Sequence, residues 1–346
     1  MKKNTITISL CLVLALSLIA GCGTKNTASS TDVPETTVSA EPSPTKQVNV
    51  SIAGLAGPTS IGMIKMISEK ALNSDAYAVS YEIAAAPDTL TAKVINGEVQ
   101  IAALPTNSAA VLYNKTEGKI QFLAQNTLGV LYLVGKDASG VTSLKDLEGK
   151  TIAISGSGGV PQYAMEYILD KAGIKDSVTL NYLTDHASTA QALLAGDADL
   201  AILPQPFVTQ VLAKDATIKI LLDINKEWDT ASEGNSVLSM GCLVVNKAFA
   251  DENPEFIAEF LAQYEASVNF VNENPKDASG MVAEAGIVPS AELAEKAIPY
   301  CNIVFKDAQS AKSEINGFLQ VLYGFNPASI GGAMPDDGFY YAAPAK

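Results

Sequence analysis

Apolar and polar positions along the chain switch repeatedly between two periods. Short runs at 48–53, 78–84, 100–104, 120–124 and 130–134 alternate or are continuously apolar and predict strands, several buried on both faces. Between them, 58–72, a segment capped by Asp88 or Thr89, and 107–114 predict helices. Ile61, Ile64, Met66 and Ile67 form the apolar face of the first. The same alternation returns after a crossover placed near 135–141, with strands at 151–154, 178–183, 200–203 and 218–223 and helices at 160–172, 188–195 and 207–213. A long apolar strand, 237–245, then crosses back. The remainder, 254–272, 276–285, 291–298 and 308–323, has helical spacing and is expected to cover the first half. Helices alternating with buried strands imply mostly parallel sheets covered on both faces.

One pattern occurs twice. Residues 97–105 (GEVQIAALP) recur nearly unchanged at 196–204 (GDADLAILP), each behind a helical run and each ending a buried strand in Leu-Pro. Ahead of each lies a small-residue turn that opens a helix: GPTS at 57–60 and GSGG at 156–159. A period of roughly a hundred residues suits a duplicated domain and is too long for a solenoid. The fold class expected is α/β, with two similar Rossmann-like lobes joined by crossover strands. Lobe 1 is assigned to 47–137 and 238–346, and lobe 2 to 138–237. Two such lobes face each other across a cleft, and open α/β sheets bind ligands beyond the carboxyl ends of their strands.

The first residues read as a targeting segment. Lys2 and Lys3 precede an apolar run at 6–19, and Ile19-Ala20-Gly21-Cys22 resembles the lipobox of bacterial lipoproteins. That resemblance implies a signal peptide at 1–21, acylation of the Cys22 thiol, and a lipid-anchored protein on the extracytoplasmic face of the cell membrane. The apolar run is too short for a transmembrane span, and no later segment approaches one. Residues 22–46, rich in Ser, Thr, Pro and Glu, read as a disordered tether.

Charge and composition narrow the partners. The net charge of −14 argues against nucleic acid and against anionic lipid. Every basic residue is lysine, so the chain lacks the guanidinium fork that grips a carboxylate, sulfonate or phosphate at two points. Cys242 and Cys301 are expected to be small buried hydrophobes rather than a disulfide. One histidine and the two scattered cysteines beyond the targeting segment and Cys22 give no metal-ligand cluster, no G-x-S-x-G elbow precedes a helix, and no cofactor motif is complete. The GSGG turn lacks the Lys and Ser/Thr that follow in a P-loop. The expectation is a binding protein that holds no cofactor and no metal, not an enzyme.

Six loops follow strand ends and open helices: 55–60, 87–89 and 105–107 in the first lobe, and 155–161, 185–188 and 204–207 in the second. Helix starts carry unpaired N–H groups and partial positive charge, so facing sets of them suit an anion or a carbonyl-rich ligand.

Together the duplicated Gly-x-x-[Asp/Gln]-[Ile/Leu]-Ala-x-Leu-Pro strand, the Leu-Lys-Asp-Leu-Glu-Gly-Lys run at 144–150 and the turn at 156–159 carry a resemblance over 47–341. The chain resembles the type II periplasmic-binding-protein superfamily, in particular its nitrate/sulfonate/taurine and thiamine-pyrimidine-precursor branch. Gln100 stands where the repeat usually has an acid. The resemblance implies a solute receptor that closes like a jaw and serves an ABC permease and its ATPase. The solute, a sulfonate, nitrate or a pyrimidine-like molecule, stays open. The alternative is an exported sensor, or an enzyme on the same two-lobe fold acting on a pyrimidine-like metabolite.

Gly57, Thr59 and Ser60 match the first ligand loop of such proteins. Ser157, Gly158 and Gly159 form the second lobe's loop. Thr106 and Asn107, with Gln205 in the matching place, offer amide and hydroxyl contacts or simply cap helices. Tyr163 and Phe207 either stack on a planar solute or pack the core. His186, in a loop facing the cleft, is a ligand contact or a capping residue. Trp228 closes over the solute or staples the hinge.

Overall fold

The computed structural model describes residues 47–84, 87–136 and 140–344; the expected signal peptide, tether and Cys22 lie outside the described residues. In chain order the strands are β1 (Val48–Leu55), β2 (Tyr77–Ala84), β3 (Ile101–Pro105), β4 (Ile120–Leu128), β5 (Leu131–Lys136), β6 (Thr151–Ile154), β7 (Thr179–Tyr182), β8 (Leu200–Pro204), β9 (Ile218–Asp223), β10 (Ser239–Asn246) and β11 (Ile303–Asp307). They form two sheets, ordered β2-β1-β3-β10-β4-β11 and β7-β6-β8-β5-β9. Apart from the edge strand β11, the orders correspond strand for strand, which is the duplication read from the repeat. In each sheet the first three strands pair in parallel, and one further strand, β10 or β5, is inserted antiparallel to its neighbours.

Three details depart from the sequence expectation. The chain changes sheets at 129–130, not near 135–141, because β5 pairs with β8 and β9 of the second sheet. The C-terminal part is not wholly helical, since β11 adds an edge strand to the first sheet beside β4. The helix expected at 58–72 is two short ones, Pro58–Ile61 and Ile64–Ser68. Between them, a Cβ on Gly62 would lie 2.7 Å from the Tyr264 hydroxyl and 3.2 Å from Val268. The backbone is pressed flush against helix Pro254–Glu273 there, which leaves room for glycine alone.

Both Leu-Pro strands are sealed inside their sheets: Ile101 to Leu104 and Leu200 to Leu203 are at most 1% exposed. Their preceding helices stop in the same way. Gly97 and Gly196 both have positive φ, 74° and 80°, the left-handed stop that glycine adopts without strain.

The two halves share packing. Trp228 is fully buried, its ring 5.1 Å from Tyr167 and 5.6 Å from Phe318, and its Nε1–H donates to the Ser236 carbonyl at 3.1 Å. It is a staple at the junction, not a lid. The C-terminal tail is stitched to the first sheet: Tyr341 N–H donates to Phe122 O at 3.0 Å, and Gln121 Nε2 to Gly338 O at 2.9 Å. Cys242 and Cys301 are free and buried. Burial pushes the Cys301 thiol up to about 12. Among the described residues no helix is long and apolar enough to cross a membrane.

Candidate functional site

The carboxyl ends of β1, β3 and β4 come together under a floor of buried polar side chains. Thr106 and Asn107 open helix Thr106–Lys115 straight after Pro105, and both are at most 1% exposed. The Thr106 hydroxyl lies 2.9 Å from that of Ser239, to which Gln125 Nε2 donates at 3.1 Å. Asn126 donates to the Thr59 carbonyl at 3.2 Å and accepts from Thr127. These contacts need a bare backbone opposite: a Cβ on Gly241 would sit 2.5 Å from Thr59 Cγ2 and 2.6 Å from Asn126 Oδ1.

Asn107 connects the lobes. Its Nδ2 donates to Gly158 O, on the second lobe's loop, and to Ser329 O, both at 3.1 Å. Its Oδ1 is buried and has no partner, as are Gln125 Oε1 and Ser60 Oγ. Buried polar atoms are nearly always paired, which makes these three orphans the outstanding polar feature of the first sheet's strand ends.

Gly57 begins the first of these loops with φ 130° and ψ −162°, a region open essentially to glycine alone. Its carbonyl accepts from Ser60 N and Ile61 N. Nothing lies within 4 Å of where a Cβ would stand, so backbone strain, not crowding, requires glycine here.

The second lobe's loops are finished differently. Gly158 N–H donates to Gln162 Oε1 at 2.7 Å and Gly159 N–H to Gly156 O at 2.9 Å, so both amides expected to cradle a ligand are already taken. Ser157 is exposed, with a 3.5 Å contact to Gln162. Gln205 is buried and turned onto its own helix, accepting from Thr209 N at 3.2 Å and Thr209 Oγ1 at 2.8 Å. Tyr163 is half-buried, and burial raises its pKa, with Glu166 adding to the effect.

His186 starts helix His186–Ala195, with Asp185 capping the Ser188 amide at 2.7 Å. Its Nδ1 lies 2.5 Å from the hydroxyl of buried Ser155, and its ring packs 5.7 Å from Phe207. Desolvation pushes the imidazole down to about 4, against the pull of Asp185. The ring is therefore neutral near pH 7.

The 144–150 run is placed far from these loops. Leu144–Leu147 is a 3₁₀ turn with a capping box between Ser143 and Asp146. Hydrogen bonds from Thr142 and Ser143 hold the Asp146 carboxyl down to about 2. The run leads into the start of β6, where Lys136, Lys150, Asn181 and Asp199 border a surface depression of about 610 Å³. The motif builds that end of the sheet and does not face the cleft.

Sequence reasoning missed Gln125, Asn126, Thr127 and Ser239. The signal was three consecutive polar residues directly after an apolar strand, which reads as a strand ending; in fact β4 continues through them to Leu128. Among the described residues no group of His, Cys, Asp and Glu has the makings of a metal site.

Two α/β sheets of matching order, joined by crossovers and facing each other through their strand ends, are the architecture of the type II periplasmic binding proteins. The sequence profile described as "NMT1/THI5 like" matches residues 78–278, and the chain belongs to that family. Among solved structures, an ABC transporter protein from Parabacteroides distasonis is similar at 27% identity, covering 85% of this chain and 99% of that one with a TM-score of 0.72. The periplasmic aliphatic sulphonate binding protein SsuA from Escherichia coli shares the fold at 16% identity, covering 86% and 92% with a TM-score of 0.69. So does the periplasmic nitrate-binding protein NrtA from Synechocystis, at 13% identity, 69% and 66% coverage and a TM-score of 0.54. No curated protein sequence matches the chain.

Proposed function

We propose that this chain is the extracytoplasmic solute-binding component of an ABC importer. It captures a small molecule between the strand ends of its two sheets and presents the closed form to a permease and its ATPase. The observation that carries the reading is the Asn107 side chain, which reaches from the first sheet's loop to the second sheet's Gly158 while keeping a buried, unpartnered oxygen beside it. The family and its structural likenesses agree, since proteins of this fold are described as binding sulphonates and nitrate.

Within this reading, lobe 1 comprises 47–128 and 239–344 and lobe 2 comprises 131–236, hinged where the chain passes between sheets. Gly57, Thr59, Ser60, Thr106 and Asn107 contact the solute from the first lobe. Ser157, Gly158, Gly159, Tyr163, His186 and Gln205 contact it from the second. Gln205 contributes through Nε2, because its carbonyl oxygen is held by Thr209. Solute bridging both lobes gives the closed state contacts that the open state lacks, and this differential affinity drives closure. Acylation at Cys22 ties the protein to the membrane. The protein binds its solute and does not transform it.

A fluorophore pair tests this. Glu117→Cys and Lys214→Cys place one label on each lobe, and Cys242 and Cys301 are buried out of reach of the reagent. A low-molecular-weight metabolite extract is expected to shorten the inter-label distance and to be recovered chemically unchanged. An unaltered distance, or turnover of the active solute, refutes the proposal.

A further inference from the structure

The cleft's hydrogen-bonding capacity is lopsided. On the first sheet, Asn107 Oδ1 is a buried acceptor with no donor, and the Ser60 hydroxyl and one end of the Gln125 amide are buried beside it without partners. The orientation of Asn107 is fixed by chemistry: its Nδ2 faces two carbonyl oxygens, Gly158 O and Ser329 O, so exchanging N and O would set three acceptors together. Gln125 and Asn107 belong to one cluster, joined through Ser239 and Thr106. On the facing loops, by contrast, the amides of Gly158, Gly159, Ser188 and Thr209 are all occupied by groups of this chain.

An oxyanion only accepts hydrogen bonds, and its binding site must donate them. The chain has no arginine, and no lysine occurs in loops 55–60, 105–107, 155–161, 185–188 or 204–207. The net charge of −14 also repels anions. Resting on the reading of this cleft as a solute site, we infer that the solute is a hydrogen-bond donor, neutral or cationic and bearing N–H groups, one of which meets Asn107 Oδ1. It is not a sulfonate, nitrate or other oxyanion. The chain thus departs in ligand chemistry from proteins of its own fold.

Isosteric probes separate the alternatives. Calorimetry on the intact protein compares acetamidinium with acetate and benzamidinium with benzoate, pairs alike in shape and opposite in hydrogen-bond sense. The amidinium of at least one pair is expected to bind and its carboxylate not. Carboxylate binding in preference to amidinium overturns the inference while leaving the cleft a solute site. If neither pair binds, mass spectrometry of the solute that closes the labelled protein decides: a recovered N–H donor supports the inference and a recovered oxyanion overturns it. Silence of all probes together with no closure by extract brings down the solute-site reading itself, and the inference with it.

Discussion

Gly241 in β10 and Leu131 in β5 hold the same place in their sheets, each opposite the proline that ends its neighbour, Pro105 or Pro204. The leucine is fully buried and packs the core. The glycine leaves room for Thr59 and Asn126 to come down onto the strand. Around it the first lobe keeps buried polar atoms unpaired, whereas the second lobe ties its helix starts up with Asp185, Gln162 and Gln205. Two copies of one architecture have diverged in what their ends are made for. One leaves polar groups unsatisfied at its strand ends; the other satisfies its own.

Exchanging the matched residues is the harshest test of that contrast. Gly241→Leu forces side-chain atoms into Thr59 and Asn126, and a loss of about 3 kcal/mol in urea-unfolding stability is expected, the upper end for overpacking. A loss below about 0.5 kcal/mol would mean that the floor can move aside and that the glycine is incidental. Next in size is the second lobe's own capping. Asp185→Ala frees the Ser188 amide and should cost about 1 kcal/mol. It should also leave a vacant donor in the cleft, so weak binding of an oxyanion probe such as nitrate, absent from the parent, would sharpen the comparison.

One effect is silent at neutrality and appears only in acid. His186 has a folded value of about 4, below its ordinary 6.5, so the unfolded chain binds the proton more tightly. The stability due to the neutral ring is complete above pH ~6.5 and drains away as pH falls towards ~4. His186→Asn, which preserves an acceptor for Ser155, should match the parent near neutrality and lose less stability on acidification. Carboxylates remote from the ring, such as Asp146, titrate in both proteins and cancel in the difference. Parallel losses would show that the ring is not held neutral.

Much of this was legible from pattern alone. The Leu-Pro strands, their glycine stops and the helices after them announced two lobes, because period and punctuation are local properties. Sheet membership was not. Residues 120–128 and 131–136 are similar apolar runs separated by Gly129 and Val130, and only their pairing partners reveal that one belongs to each sheet. The edge strand β11 escaped for the same reason. At the site, Asn107 and Thr106 were visible as helix-opening polar residues. The decisive state of each polar atom, paired or unpaired, depends on neighbours far away in the chain. Gly158 illustrates this: its glycine character suggested a free amide, and Gln162, one turn later, has already claimed it.

The second sheet draws all its strands from one continuous stretch, β5 to β9. The first must wait for β10, β11 and the tail that bonds to Phe122. On a growing polypeptide, the half that begins first is therefore completed last, standing with an open flank until synthesis is nearly over. Whatever chaperoning this protein receives is best directed at that waiting flank: the uncovered edge of β3 and the apolar underside of β4.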